Sequence, residues 1–349
     1  MKKINILGVG AALVDRQFYI EDNLLEELKL KKGSMDLKDQ ETQNKIYKKL
    51  FHLYGSSKDA CGGSSTNTIY AASILGSSCS FIGKVANDLN GKFYVDNLIS
   101  ANIKNKCMSL EKGVSGSCLV MVTPDAERTM STFLGISSEL KISDLDENMI
   151  KEAEIVYLEA YLVSSDSNFE TTTKIIEIAK KNNTKIAVSL SDSFIVTTFK
   201  DRLLKWMENK IDFLFCNEEE AKTFSNSSNT DSAIKELKKF SEVSFITLGK
   251  MGAVVLSEEK RIVIDGFPAK AIDTNGAGDM FAGGVLHKLS EGLDLEISAK
   301  FGCFLASKGV ENFGPRLSDQ DYLNNKNLFE KIYRNKWPDI FLFDKLPSL

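Results

Sequence analysis

The chain has 349 residues, of which 43% are hydrophobic and 26% are charged, and its formal net charge at pH 7 is −4. This length suits one large α/β domain with an insertion, or two domains. The slightly acidic balance gives no basis for binding a nucleic-acid backbone. Two histidines and six cysteines without a C-x-x-C pair argue against a zinc site.

The termini and the cysteines suggest where the protein works. No apolar run approaches the roughly 18 residues that span a bilayer, so no membrane partner is expected. Met1-Lys2-Lys3 leads directly into a strand pattern, which argues against a cleaved signal. Scattered cysteines are typical of buried, reduced thiols, and we therefore expect a cytoplasmic protein.

Residues 4–10 form a short apolar run that predicts a buried first strand. The pair Gly8-x-Gly10 invites a dinucleotide-binding interpretation, but Leu13 stands where that motif has its third glycine. Asp15 follows the strand's carboxyl end, where open α/β sheets bind their ligands. From the residue alone, a turn or cap role is the favoured interpretation of Asp15.

Residues 18–54 are charged and helix-prone, which indicates an insertion. In Gly62-Gly63-Ser-Ser-Thr-Asn67 two glycines precede an apolar helix. Ser64 or Ser65 could cap that helix. The glycine pair followed by Asn67 suits binding to sugar hydroxyls.

Residues 117–123 and 128–134 read as two short strands around a turn. With residues 15–40 they would form a small β lid that excludes water from a site. Arg128, at the turn, either contacts phosphate or is a solvated surface charge, and the sequence leaves both open.

From residue 151 onward strand and helix patterns alternate, which predicts right-handed βαβ units in a mainly parallel sheet. The strands are expected at residues 155–162, 185–190, 211–216 and 243–248. Residues 317–333 are expected to be helical, and residues 337–349 form an apolar appendage expected to pack on the surface.

One motif lies at the end of each of the last two strands. Asn217 and Glu220 have the spacing of a helix capping box, and acids at a strand end also position hydrated magnesium. Thr247-x-Gly249-x-x-Gly252 is compatible with a glycine turn in a hairpin. No Walker A sequence occurs, so a phosphate site must rest elsewhere.

The most informative string is Asp273-Thr-Asn-Gly-Ala-Gly-Asp279, which runs into an apolar helix. The first N–H groups of that helix would have no partner inside it and would form an anion site. A carboxylate beside bound phosphate is costly unless it acts on the acceptor hydroxyl, as in phosphoryl transfer. The alternative is that Asp279 only complements the helix dipole.

These motifs, in this order, resemble those of the PfkB/ribokinase family of carbohydrate and nucleoside kinases over roughly residues 4–316. The resemblance implies a ribokinase-like three-layer α/β/α sandwich, with a mainly parallel central sheet and a small β-sheet lid. It implies ATP and Mg²⁺ as cofactors, and some relatives also need a monovalent cation such as K⁺. We expect the core to comprise residues 1–14, 55–105 and 137–349, and the lid residues 15–54 and 106–136.

The resemblance also implies residue roles. Asp279 would be the catalytic base, and Gly276, Ala277 and Gly278 the anion hole. Residues implied to bind the cofactor are Asn217, Glu220 (also magnesium through water), Thr247, Gly249, Gly252, Asp273, Thr274 and Asn275. Residues implied to bind the acceptor are Asp15, Gly62, Gly63, Asn67, Arg128, Tyr161 and Phe194, with Cys118 and Met130 as apolar lid contacts.

Within the family the motifs are most similar to those of adenosine kinases, which implies 5′-phosphorylation of adenosine to AMP in purine salvage. Tyr161 and Phe194 would face the base, although core packing explains each aromatic equally well. Adenosine kinases commonly carry Asn four residues before the ribose aspartate, whereas this chain has Ala11. Alternative acceptors are inosine, ribose and fructose. A non-catalytic nucleotide-binding regulator and an NAD-dependent oxidoreductase are more distant alternatives, and the protein could be a monomer or a homodimer.

Overall fold

The computed structural model describes residues 2–108 and 112–334. Its strands are β1 Ile4–Val9, β2 Leu13–Tyr19, β3 Met35–Leu37, β4 Lys58–Gly62, β5 Cys79–Val85, β6 Lys104–Met108, β7 Gly116–Val122, β8 Arg128–Phe133, β9 Ala153–Glu159, β10 Lys185–Ser189, β11 Ile211–Asn217, β12 Ser241–Thr247, β13 Gly252–Ser257 and β14 Arg261–Asp265. Its helices are α1 Asp22–Glu27, α2 Gln40–Tyr54, α3 Ser64–Ile74, α4 Leu89–Ser100, α5 Glu147–Glu152, α6 Asp166–Lys181, α7 Ser193–Thr198, α8 Lys200–Trp206, α9 Glu218–Ser225, α10 Thr230–Leu237, α11 Ala277–Ser290, α12 Leu295–Gly309 and α13 Asp319–Arg334.

The central sheet has the strand order β14-β13-β12-β11-β10-β9-β1-β5-β6. Strands β12 to β6 in this order pair in parallel, and only β13 and β14 add antiparallel pairs at one edge. Alternate side chains of each strand enter two separate hydrophobic clusters, so that Tyr157 packs on one face and Val156 and Leu158 on the other. Helices cover both faces, and the expected three-layer, mainly parallel α/β architecture is confirmed.

The second sheet is small, with the order β3-β8-β7-β2-β4. Its outer face packs against α1 and α2 through an apolar cluster that includes Phe18, Leu24, Leu50 and Met121. Its inner face carries Asp15 toward the central sheet. Strand β4 belongs to this sheet although residues 55–105 were expected in the core, while β6 pairs with the central sheet. The division into core and lid remains a prediction.

Three further expectations concern the end of β9, the terminal helix and the segment 337–349. Strand β9 ends at Glu159 and not at residue 162, because the N–H of Ala160 donates to Ser191 Oγ (3.0 Å) and a 3-10 helix begins. The predicted terminal helix is present as α13. The apolar segment 337–349 lies outside the described residues. Within residues 2–108 and 112–334, no helix combines the length and apolar character that crossing a membrane requires.

Candidate active site

One buried carboxylate holds the loop before α11 through two hydrogen bonds. Asp273 Oδ1 accepts the N–H of Asn275 (2.8 Å), and Oδ2 accepts the N–H of Gly314 (2.9 Å). Gly276 takes φ +74° at the helix N-cap, and a Cβ there would collide with the carbonyl oxygen of Pro315. The left-handed turn and the close approach both require glycine. Asp273 therefore stabilises the conformation of this loop.

This loop separates two cavities. We call the first the Gly278 cavity; its volume is ≈ 480 Å³, and it is lined by residues including Thr247, Gly249, Gly252, Thr274, Ala277 and Gly278. We call the second the Asp279 cavity; it is lined by residues including Asp15, Gly63, Ser64, Asn67, Cys118, Arg128, Met130, Glu159, Tyr161, Asn275 and Asp279. The start of α11 thus presents backbone to one cavity and a carboxylate to the other.

Asp279 lies between helices α11 and α3. Ser64 Oγ donates to its Oδ1 (2.6 Å), and Asn67 Nδ2 donates to its Oδ2 (3.0 Å). Burial raises the pKa of Asp279, while these two hydrogen bonds and the positive charges of Arg128 and Arg316 act against that rise. The expected cap role of Ser64 or Ser65 is wrong, because Gly63 is the N-cap of α3 and the Ser64 hydroxyl faces Asp279.

Asp15 projects from β2 into the same cavity and is 7% exposed. Burial, opposed by Arg316, raises the pKa of Asp15 to about 7, and the nearby Asp279 adds to the rise. Gly62 lies directly against this carboxylate, where any Cβ would collide with it. Gly62 therefore makes room for Asp15 and is not part of the cavity wall.

Glu159 is a site residue that the sequence analysis missed. It lies at the carboxyl end of β9, fully buried, and accepts the N–H groups of Ala11 (2.7 Å) and Ser65 (2.6 Å). Burial raises its pKa to about 7, with these hydrogen bonds acting in the opposite direction. Its position at the carboxyl end of β9 could have identified it only if the strand had been predicted to end at Glu159 and not at residue 162.

The hairpin between β7 and β8 contacts the loop before α11. Arg128 is partly buried, and its Nη1 donates to Asn275 Oδ1 (3.3 Å). Thr274 Oγ1 donates to the carbonyl oxygen of Ala126 (3.0 Å). Of the two interpretations of Arg128, the solvated surface charge is therefore wrong. Its guanidinium lies beside the Asp279 cavity.

The structure places the two aromatic residues that were predicted to face the base in different environments. Tyr161 lies in the 3-10 helix after β9 and lines the Asp279 cavity. Phe194 lies in α7, is 43% exposed, and is not among the residues that line this cavity. In α7 the side chains that turn inward are Ile195 and Val196. The structure therefore brings only Tyr161 to the other site residues.

Asn217 and Glu220 form a capping box at the start of α9. Glu220 accepts from the N–H (2.9 Å) and the Nδ2 (2.7 Å) of Asn217, whose Oδ1 accepts the N–H of Glu220 (2.8 Å). Burial, with Asp192 nearby, raises the pKa of Glu220 to about 7. No group of three or more His, Cys, Asp and Glu side chains able to hold a metal ion occurs among the residues that the structure describes. Each carboxylate oxygen of the buried Glu220 accepts one hydrogen bond from Asn217 and keeps a further lone pair, which fits a magnesium ion held through water.

A model of pfkB family carbohydrate kinases matches residues 34–321. The chain is 26% identical over 332 residues to adenosine kinase of Saccharomyces cerevisiae, covering 89% of this chain and 96% of that protein. It is 28% identical over 266 residues to ribokinase of Haemophilus influenzae, covering 74% and 84%. The crystal structure of adenosine kinase from Sinorhizobium meliloti superimposes with a TM-score of 0.89 at 27% identity, covering 93% of this chain and 99% of that one.

Proposed function

The chain belongs to the pfkB family of carbohydrate kinases, and we propose that it transfers a phosphoryl group from ATP to the 5′-hydroxyl of adenosine, yielding AMP and ADP. The names of its full-length relatives support adenosine as acceptor. The observation that carries the proposal is that one short loop separates two cavities, with Ala277 and Gly278 on one side and Asp279 on the other. Making AMP from free adenosine is a purine-salvage step.

On the donor side, the Gly278 cavity would hold ATP. Apart from its chain neighbours and the backbone of its own helix, no protein atom lies within 4 Å of the position of a Cβ on Gly278, so a phosphate can approach the backbone directly. The N–H groups at the start of α11 and the positive end of its dipole stabilise charge on the transferred group. Thr247, Gly249 and Gly252 line the remainder of this cavity.

On the acceptor side, Asp15, Gly63 and Asn67 would bind the ribose and Tyr161 would face the base. Asp279 would take the proton of the 5′-hydroxyl as its oxygen forms a bond to the γ-phosphorus and the bond to the ADP oxygen breaks. The hydrogen bonds from Ser64 and Asn67 favour the ionised carboxylate that this step needs. Arg128 would add positive charge and help to exclude water.

Magnesium would be held through water near Asn217 and Glu220 and would offset the charge of the ATP phosphates. The proposal includes a cytoplasmic location. It also includes a monomeric or homodimeric state, and light scattering on the purified protein distinguishes these two. Dependence on a monovalent cation is tested by comparing rates in potassium chloride and in tetramethylammonium chloride.

A specific observation favours a second acceptor class. Ala11 offers a methyl group in place of an amide, and the Glu159 carboxylate lines the same cavity. A carboxylate that accepts hydroxyl hydrogens suits a free sugar as well as a nucleoside. The alternative acceptors are therefore ribose, fructose and inosine.

The test is ADP formation from ATP with adenosine, inosine, ribose and fructose as single acceptors. We expect the highest kcat/KM with adenosine. A preference for ribose, fructose or inosine would assign the alternative. Absence of turnover with every acceptor, despite nucleotide binding, would instead indicate a regulator that retains the fold.

A further inference from the structure

Arg316, in the loop between α12 and α13, connects that loop to helices α3 and α4. Its Nε donates to Asn67 Oδ1 (2.8 Å) in α3, and its Nη1 donates to Asn97 Oδ1 (2.7 Å) in α4. Its guanidinium carbon lies 4.1 Å from the ring centroid of Tyr70. Two directed hydrogen bonds and a stacking contact hold the planar group in one orientation.

This orientation determines which way the Asn67 amide faces. An amide side chain has one acceptor oxygen and one donor nitrogen, whereas a guanidinium only donates. Oδ1 of Asn67 must therefore face Arg316, which leaves Nδ2 to donate to Asp279 Oδ2 at 3.0 Å. The flipped amide would place an oxygen against the Asp279 carboxylate and a donor against the guanidinium, so both contacts would be lost.

We propose that Arg316 is a positioning residue for phosphoryl transfer: by fixing the Asn67 amide, it holds the Asp279 carboxylate on the acceptor side of the site. The inference rests on the proposed function in taking Asp279 as the base. Arg316 itself does not line the Asp279 cavity and acts through Asn67. Asn97 has the corresponding role of holding Arg316.

The charged and titratable groups around Asp279 define what the loss of Arg316 does to the pH profile. They are Arg128 and Arg316 as cations, Asp15 and Glu159 as acids, and Tyr157, Tyr161 and Tyr322 as phenols. Arg316 opposes the rise in the pKa of Asp279 that burial causes. Without Arg316 the carboxylate is protonated at higher pH, and the acid limb of kcat/KM moves upward.

The test is a double-mutant cycle of Arg316→Gln with Asn67→Ala, assayed with the best acceptor. We expect Arg316→Gln to lower kcat about tenfold to hundredfold and to leave the KM for ATP within about twofold. In the Asn67→Ala background the same change should cost less than about twofold, because its target is gone. Equal losses in both backgrounds would overturn the proposal. Arg261→Gln, an exposed arginine paired with Asp231, is the matched control and should have no effect.

A second readout does not depend on turnover. In NMR spectra of the unliganded protein, Arg316→Gln should shift the side-chain amide resonances of Asn67, and Arg261→Gln should not. Arg316→Lys keeps the positive charge but loses the planar guanidinium with its directed donors. Compared with Arg316→Gln, it should return the acid limb to its parent position, while kcat stays low. If no acceptor is phosphorylated, the proposed function fails, and unchanged Asn67 resonances would separately refute the positioning role.

Discussion

Ser64 and Asp279 are separated by 215 positions in the chain, yet Ser64 Oγ donates a 2.6 Å hydrogen bond to Asp279 Oδ1. The contact depends on the close packing of α3 on α11. A Cβ on Gly283 in α11 would lie 2.6 Å from the carbonyl oxygen of Thr68 in α3, so glycine permits this approach. The two helices thereby bring a donor to the carboxylate.

Replacing Ser64 by alanine removes this donor from Asp279. We expect kcat/KM to fall about tenfold and its acid limb to move to higher pH, because the hydrogen bond favours the ionised carboxylate. Ser65→Ala is the matched control, since the Ser65 hydroxyl is buried and has no hydrogen-bond partner. A pH–rate profile of both variants checks this. Equal profiles would remove Ser64 from the site.

Two glycines at the start of α11 should respond differently to alanine, one through the stability of the fold and the other through the reaction with ATP. Gly276→Ala forces a side chain into a left-handed conformation and against Pro315, so it should destabilise the fold by roughly 1–3 kcal/mol. The methyl group of Gly278→Ala meets no atom within 4 Å beyond its chain neighbours and its own helix backbone, and the change should leave the melting temperature unchanged. Its methyl group enters the Gly278 cavity, so kcat/KM for ATP should fall about tenfold to hundredfold. Thermal melts and ATP titrations measure the two effects, and a normal kcat/KM for Gly278→Ala would contradict the donor assignment.

The buried Asp15 carboxyl should make stability depend on pH. Its pKa is raised from 3.8 to about 7 in the folded chain, so the folded state binds more protons than the unfolded state between these values. Stability then falls as pH rises through this window. At about pH 8, Asp15→Asn should be more stable than the parent by roughly 1–3 kcal/mol.

Melting temperatures at about pH 5 and pH 8 check the Asp15 prediction. The loss between the two pH values should be smaller in Asp15→Asn than in the parent. Asp201→Asn, at an exposed position in α8, is the control and should match the parent. A parent-like pH dependence in Asp15→Asn would show that the carboxyl is not stabilised in its protonated form.

Tyr161 and Phe194 were predicted to act alike, and their positions now distinguish them. Tyr161 lines the Asp279 cavity, whereas Phe194 is 43% exposed on α7. Tyr161→Ala should raise the KM for the acceptor at least about tenfold, and Phe194→Ala should change it by less than about twofold. Steady-state kinetics at saturating ATP decide between them. A large effect from Phe194→Ala would mean that α7 moves toward the acceptor during the reaction.

Local sequence was sufficient to predict the alternating parallel sheet, the turn of the α11 loop and the acid at its end. Glycine spacing and strand–helix alternation are properties of neighbouring residues. Glu159 was missed because its partners, Ala11 and Ser65, come from distant segments that meet only in the folded chain. The placement of β4 in the small sheet likewise depends on long-range pairing with β2.

The central claim is that Asp279 takes the acceptor proton beside the amides of the α11 loop. Single-turnover phosphoryl transfer by Asp279→Asn tests it most directly, with acceptor binding measured by calorimetry on the same preparation. We predict that the rate falls at least about a thousandfold while the acceptor Kd changes by less than about tenfold. A rate within about tenfold of the parent would contradict this account.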